Sequence, residues 1–243
     1  MRAYTSLLGH IFGSNPAICG YYEMHIGYHS WRSLVRQKLL YFEEEDSKPG
    51  MRYMFDKILH SDHDVSLQLL DSKRVRALFS LRRPEKTIPS ILNLYRSVDP
   101  GHDFNRAEFA TAYYIERLNE LERLACAMGR DYYYFDAEAV QGDTAATLAA
   151  MSDWLDLETP LSPRYSMQKK TSRERYGDTS DRLKSGAVTR HDSGADNIDV
   201  APELLESALP VYSRVRAALI ERSARHSLHS AQVQHLRGDT GNR

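Results

Sequence analysis

The sequence predicts an α/β domain built on a parallel sheet with helices on its faces, and three observations carry that reading. Short segments rich in apolar and aromatic residues alternate with longer amphipathic ones, the order expected of parallel strands joined by crossover helices. The 243 residues are 42% hydrophobic and 27% charged, an ordinary globular composition that excludes a disordered or fibrous chain. No run approaches the roughly 20 apolar residues of a membrane helix, and no basic segment followed by a long apolar core opens the chain.

In chain order, Leu7, Leu8, Ile11 and Phe12 repeat at helical spacing until Gly13-Ser14-Asn15-Pro16 stops them. Met51 to Leu59, Arg76 to Leu81 and Arg130 to Phe135 read as strands. Between them, helices are expected from Pro84 to Tyr95, with proline at the first turn, from about Asn105 to Met128, and from Thr144 to Leu155. The acidic run Glu43 to Asp46 reads as a solvated turn. From Ser162 to Arg190 eight Lys/Arg face three Asp/Glu, a basic loop of net charge +5. A last helix spans Pro202 to Arg222, with Leu204, Leu205, Leu209, Val215 and Leu219 on its apolar side. The expected organisation is one domain over residues 1–222, basic loop included, and a flexible tail over 223–243.

With 32 Lys+Arg against 33 Asp+Glu the formal charge is -1, so the chain as a whole is no polyanion binder and nucleic acid is not an expected partner. Cys19 and Cys126 are too few and too far apart for a disulfide framework or a thiolate zinc site, which fits a reducing, cytoplasmic setting. The phosphate loop Gly-x-x-x-x-Gly-Lys-Ser/Thr, the dinucleotide fingerprint, the nucleophile elbow and the His-Glu-x-x-His helix are all missing from the sequence. His25 and His29 stand four apart without an evident third ligand, so no metal is expected.

Three segments carry chemistry. Arg2-Ala3-Tyr4-Thr5-Ser6 joins a cation and two hydroxyls to a helix start, where unpartnered amides make an anion cradle; Thr5 or Ser6 as a simple helix cap is the competing reading. Leu81-Arg82-Arg83-Pro84 to Ser90 takes a strand through two arginines into a helix. That places Arg82 and Ser90 at the carboxyl edge of the sheet, where a guanidinium fork favours phosphate. Lys169 to Gly186 is a basic loop able to close over a phosphorylated ligand, with Arg173 and Arg175 as cations and Gly177 permitting close backbone approach.

Together these segments resemble the sulfotransferase family that uses 3′-phosphoadenosine-5′-phosphosulfate as donor, most nearly its bacterial carbohydrate and glycolipid branch. Arg2-Ala3-Tyr4-Thr5-Ser6-Leu7-Leu8 is similar to the family's Arg-Ser-Gly-Thr-Thr/Ser-Leu-Leu. Arg82, Pro84 and Ser90 match its Arg-x-Pro with Ser eight residues after the Arg. Gly177-Asp178-Thr179-Ser180 resembles its late Gly-Asp-x-Ser, and Phe135 to Glu138 followed by Met151 to Leu155 its strand–helix unit. The resemblance covers most of Arg2 to Gly186 and implies a three-layer fold like that of P-loop NTPases.

It also implies a 5′-phosphosulfate loop at Arg2, Thr5 and Ser6, a 3′-phosphate contact at Arg82 and Ser90, and no metal. Two departures are visible: Ala3-Tyr4 replaces Ser-Gly, and Met1 stands where the family has a central strand. The second leaves two expectations open: the true start lies upstream of Met1, or the chain lacks the first, central strand and exposes two strand edges.

The implied reaction moves the sulfuryl group from the donor to a hydroxyl of a saccharide or glycolipid. Glu23 and His60 fall where the family carries its base, and Lys57 where it stabilises the bridging oxygen. Glu23 is preferred, because a carboxylate among Tyr21, Tyr22, Tyr28 and Trp31 has its pKa raised by desolvation toward the useful range. The same aromatic residues suit stacking on a sugar or simple core packing. Arg214, Arg216 and Arg222 on the last helix suggest a peripheral membrane contact. The alternatives are an inactive nucleotide-binding relative and a P-loop kinase-like phosphotransferase.

Overall fold

The computed structural model describes residues 2–60, 63–171, 181–189 and 198–230. Its elements, in order, are α1 (Thr5–Ser14), β1 (Ile18–Cys19), α2 (Trp31–Phe42), β2 (Tyr53–Met54), α3 (Leu67–Leu70), β3 (Leu78–Leu81), α4 (Pro84–Val98), α5 (Ala107–Ala127), β4 (Tyr133–Asp136), α6 (Ala139–Gly142), α7 (Thr144–Trp154), α8 (Pro202–Arg222) and β5 (Arg225–Ser227). The protein is mixed α/β, with parallel strands flanked by helices. None of the described helices is long and apolar enough to cross a membrane. The described residues form two compact units. One comprises 2–3, 77–137 and 198–226, and the other 4–76, 138–189 and 227–230.

In the first unit β3 and β4 run parallel, in register from Leu78 opposite Tyr133 to Leu81 opposite Asp136. All four β4 residues are buried, as a parallel strand covered on both faces requires, whereas β3 buries only Phe79 and Leu81. Helix α4 starts on Pro84, whose fixed φ suits a first turn, and turns Ile88, Ile91 and Leu92 inward. Helix α5 buries Ala110, Tyr114 and Leu118, and packs on the Ala208–Tyr212–Val215–Leu219 face of α8. The inward face of α8 thus leans on Ala208 and Tyr212, while Leu204, Leu205 and Leu209 are only partly buried. Arg225–Ser227, assigned by the sequence to the flexible tail, is instead strand β5 beside β4, because the Ala224 amide donates to the Tyr132 carbonyl.

In the second unit α1 crosses the chain at Gly20–Tyr21 closely enough that only glycine fits at Gly9, where an added Cβ would lie 2.2 Å from the Tyr21 carbonyl oxygen. Strands β1 and β2 pair in parallel over two residues each, Ile18 with Tyr53 and Cys19 with Met54. The strand expected from Met51 to Leu59 is therefore short. Gly20, at φ +98, ends its partner and limits the ladder. The strands consequently form a two-stranded and a three-stranded sheet, where the sequence led to one central sheet. Helix α2 has no counterpart among the expected elements.

Candidate functional site

The first unit gathers Arg2, Arg82 and Ser90. Arg82 leaves β3 at its carboxyl end, as the sequence predicts, and is buried. Its carbonyl accepts hydrogen bonds from the Tyr114 hydroxyl at 2.7 Å and the Thr87 hydroxyl at 3.2 Å, so α4 and α5 both fix its backbone. Its Nη1 donates to the Arg2 carbonyl at 3.0 Å, and Arg2 Nε donates to Ser90 Oγ at 2.9 Å. Ser90 is buried one turn after Lys86, next to Pro89, which has no N–H to offer. Hydrogen bonds thus link Arg82 to Arg2 and Arg2 to Ser90, a chain of cationic and hydroxyl groups that suits an oxyanion. Arg83 is outside this group, because its guanidinium is turned to Glu85 at 2.9 Å. The positioning roles of Tyr114 and Thr87 were missed by sequence reasoning; Thr87, four residues after Arg83, was the available signal.

The second unit gathers Ser6, Glu23, Asp56 and Lys57. Tyr4 stands at the N-cap of α1 with φ 54 and ψ 21, in the left-handed region, and no side chain caps the helix. Thr5 and Ser6 are therefore the first helical residues, and the capping reading of either is overturned. The turn at Tyr4 needs positive φ, which costs a side-chain-bearing residue about 1–2 kcal/mol. Lys57 is buried and its Nζ donates to Ser6 Oγ at 3.3 Å. Glu23 is buried, and its Oε1 accepts from the Leu59 amide at 3.3 Å.

Asp56, unremarked in the sequence, organises this group. Its Oδ1 accepts from the amides of Met24 at 3.1 Å and Lys57 at 2.7 Å, and its Oδ2 from the Tyr28 hydroxyl at 2.5 Å. One carboxylate thereby ties the neighbours of Glu23 to the backbone of Lys57. Burial raises the Asp56 pKa to about 6, against the pull of the hydrogen bonds from Tyr28, Lys57 and Met24. The adjacent Glu23 charge pushes in the same direction as burial. His60 follows Leu59 and is partly buried; its carbonyl accepts from the His63 amide at 3.4 Å.

Several expectations change. Tyr21, Tyr22 and Tyr28 are buried core residues rather than a stacking platform, and only Trp31 is open. The acidic run is not simply solvated: Glu44 pairs with the buried Lys170 at 2.5 Å, and Glu45 accepts from the Tyr21 hydroxyl at 3.0 Å. Lys170 also lies 4.3 Å over the Tyr22 ring, so this part of the basic loop is engaged by the protein itself. His25 and His29 lie in an irregular segment and do not share a helix face. Of the basic outer face expected on α8, Arg222 stays exposed in the last turn, whereas the other two guanidinium groups find acids. Arg216 turns inward onto Asp136 at 2.8 Å through both Nε and Nη2, and Arg214 is held by Glu122 and Asn119. Arg173, Arg175 and Gly177, with the Gly177-Asp178-Thr179-Ser180 motif, lie outside the described residues.

Comparison of the chain with family models, with curated proteins and with solved structures finds no match in any of the three.

Proposed function

We propose that the protein is a sulfotransferase of P-loop-like fold that moves the sulfuryl group of 3′-phosphoadenosine-5′-phosphosulfate to a hydroxyl of a saccharide or glycolipid. The observation that carries this reading is the grouping of Arg2 and Arg82 around Ser90 at the carboxyl end of β3. The Arg82–Ser90 spacing is the most specific part of the sequence resemblance, and the hydrogen bonds that link Arg82 to Arg2 and Arg2 to Ser90, with Tyr114 and Thr87 on the Arg82 carbonyl, support an oxyanion-binding role for it. That cluster is assigned the 3′-phosphate. Thr5 and Ser6 at the start of α1, with Lys57 on Ser6, are assigned the sulfuryl side.

In the proposed step an acceptor oxygen attacks sulfur in line and an S–O bond forms. The bond from sulfur to the 5′-phosphate oxygen breaks, and adenosine-3′,5′-bisphosphate leaves with that electron pair. Glu23 takes the acceptor proton, and Lys57 offsets the charge that develops on the bridging oxygen. His60 is the second candidate base. A donor-binding relative without turnover is the competing reading, favoured by the side chain that Tyr4 carries at a positive-φ position.

Calorimetric titration with adenosine-3′,5′-bisphosphate tests the reading, with Arg82→Ala as control and ATP as competitor. Binding that falls tenfold or more in the variant is expected, as for loss of a charge-assisted hydrogen-bond donor. A folded chain that does not bind, or a variant that binds as well as the parent, overturns it. Transfer to saccharide acceptors that is lost in Glu23→Gln while donor binding persists separates the enzyme from the non-turning relative.

A further inference from the structure

Helix α2 shows an unusual division of its apolar residues. Its inner face is anchored: Gln37 and Tyr41 are buried, and Leu34 and Leu40 pack on the Ile26–Tyr28–Leu69 cluster. Yet Trp31, Val35 and Leu39 are 60%, 45% and 63% exposed. They stand four residues apart, so they form one stripe along the outer side of the helix. Since the inner face is already packed, the stripe cannot be hidden by rolling the helix.

The charges around the stripe are of one sign. At 100° per residue, Arg32 and Arg36 flank it on one side and Lys38 on the other. All three are exposed, and the helix contains no Asp or Glu. Among the described residues none of the three cations forms an ion pair. The Arg32 guanidinium lies 5.7 Å from the Trp31 ring centroid, over the indole rather than toward an acid.

We infer that the Trp31–Val35–Leu39 face of α2 seats the protein on an anionic phospholipid surface, with Arg32, Arg36 and Lys38 against the headgroups. An apolar stripe edged on both sides by long cationic side chains is the pattern of a helix lying in a membrane interface. The stripe enters the acyl boundary while the cations reach back to the phosphates. The 12 residues of α2 span about 18 Å, a length that lies along a bilayer surface and does not cross it.

A second copy of the chain fits this face poorly. Isologous pairing would set the same three cations against one another, and one short helix face falls below the roughly 1,200 Å² of a stable interface. Glu43 and Asp46 are exposed just beyond the helix, so the Trp31 end sits deepest. The inference is independent of the sulfotransferase reading, since its test contains no nucleotide.

The test is co-sedimentation of the full chain with vesicles of phosphatidylcholine mixed with phosphatidylglycerol, and with vesicles of phosphatidylcholine alone, followed also by tryptophan emission. Binding to the anionic vesicles, weakened by salt and accompanied by a blue shift of Trp31 emission, is expected. Trp31→Ala removes the shift and lowers partitioning tenfold or more, and Arg32→Gln and Arg36→Gln each lower it about fivefold. Leu39→Ser provides a second apolar variant, and far-UV circular dichroism checks the fold of each. Failure to bind anionic vesicles, binding that none of the variants weakens, or a dimer disrupted by Trp31→Ala without vesicle binding overturns the inference.

Discussion

Asp136 in the first unit and Asp56 in the second are acids at the carboxyl ends of parallel strands, and each accepts a hydrogen bond from a tyrosine. Tyr134 donates to Asp136 at 2.7 Å, and Tyr28 to Asp56 at 2.5 Å. The difference lies in the remaining partners. Asp136 faces both forks of Arg216, whereas Asp56 receives two backbone amides and no guanidinium. A full counter-charge makes the first carboxylate a fixed strut between β4 and α8. Dipoles alone leave the second with its pKa raised to about 6 by burial, so it remains titratable beside Glu23. One unit spends its buried acid on rigidity, and the other keeps a proton-sensitive group among its candidate catalytic residues.

The largest expected effect comes from breaking the strut. Arg216→Met keeps the volume of the side chain but leaves Asp136, fully buried, without its counter-ion. Loss of one partner of a buried pair costs about 3–5 kcal/mol. Urea denaturation reads this as a lower midpoint at unchanged slope. A loss under about 1 kcal/mol would place Asp136 in the same class as Asp56 and dissolve the contrast.

The second effect depends on pH. The folded-state pKa of Asp56, about 6, lies above its ordinary value of 3.8, so the folded chain holds this proton more tightly than the unfolded chain. Stability from this group is therefore fully present below the unfolded value. It is lost as pH rises from about 4 to 6, and stays level above. A shift of about two units corresponds to about 3 kcal/mol at most. Asp56→Asn keeps an acceptor for the two amides and removes the titration, so the parent should lose stability relative to the variant as pH rises through that window in urea melts taken at successive pH values. An unchanged pH profile would show that Asp56 is as well compensated as its counterpart.

Much of the first unit was legible in the sequence. Pro84 at a first turn, the long periodicities of α5 and α8 and the apolar run of β4 each announce their elements, and the Arg82–Ser90 spacing announces the cluster. The second unit hides its logic for physical reasons. Helix α2 was missed because apolar residues stand on both sides of it, Leu34 and Tyr41 inward and Trp31 and Leu39 outward, which erases the amphipathic contrast. Strand β1 was missed because a ladder of two residues has too little sequence to alternate. Asp56 escaped because its partners are backbone amides and a tyrosine 28 residues away, and neither leaves a spacing signature. Conversely, the basic face read on α8 is reduced to Arg222, because a sequence lists Arg214 and Arg216 without the acids they meet.

The smallest effect isolates Tyr4, where the two units join along the chain. Its φ of 54 places a side chain in a backbone region that disfavours it by about 1–2 kcal/mol. Glycine relieves that strain but loses about 0.5–1 kcal/mol through the freedom it gains when unfolded. Tyr4→Gly is therefore expected to stabilise the fold by only about 0.5 kcal/mol. Its larger consequence concerns the anion cradle. Under the proposed assignment of Thr5 and Ser6, removing the side chain lets a phosphosulfate oxygen approach the α1 amides, so the variant should bind 3′-phosphoadenosine-5′-phosphosulfate more tightly while leaving adenosine-3′,5′-bisphosphate affinity at the Arg82–Ser90 cluster nearly unchanged. Equal gains for both ligands would mean that Tyr4 acts through general strain and not through the sulfuryl side, and no gain for either would leave the donor's sulfuryl group without the role assigned to Thr5 and Ser6.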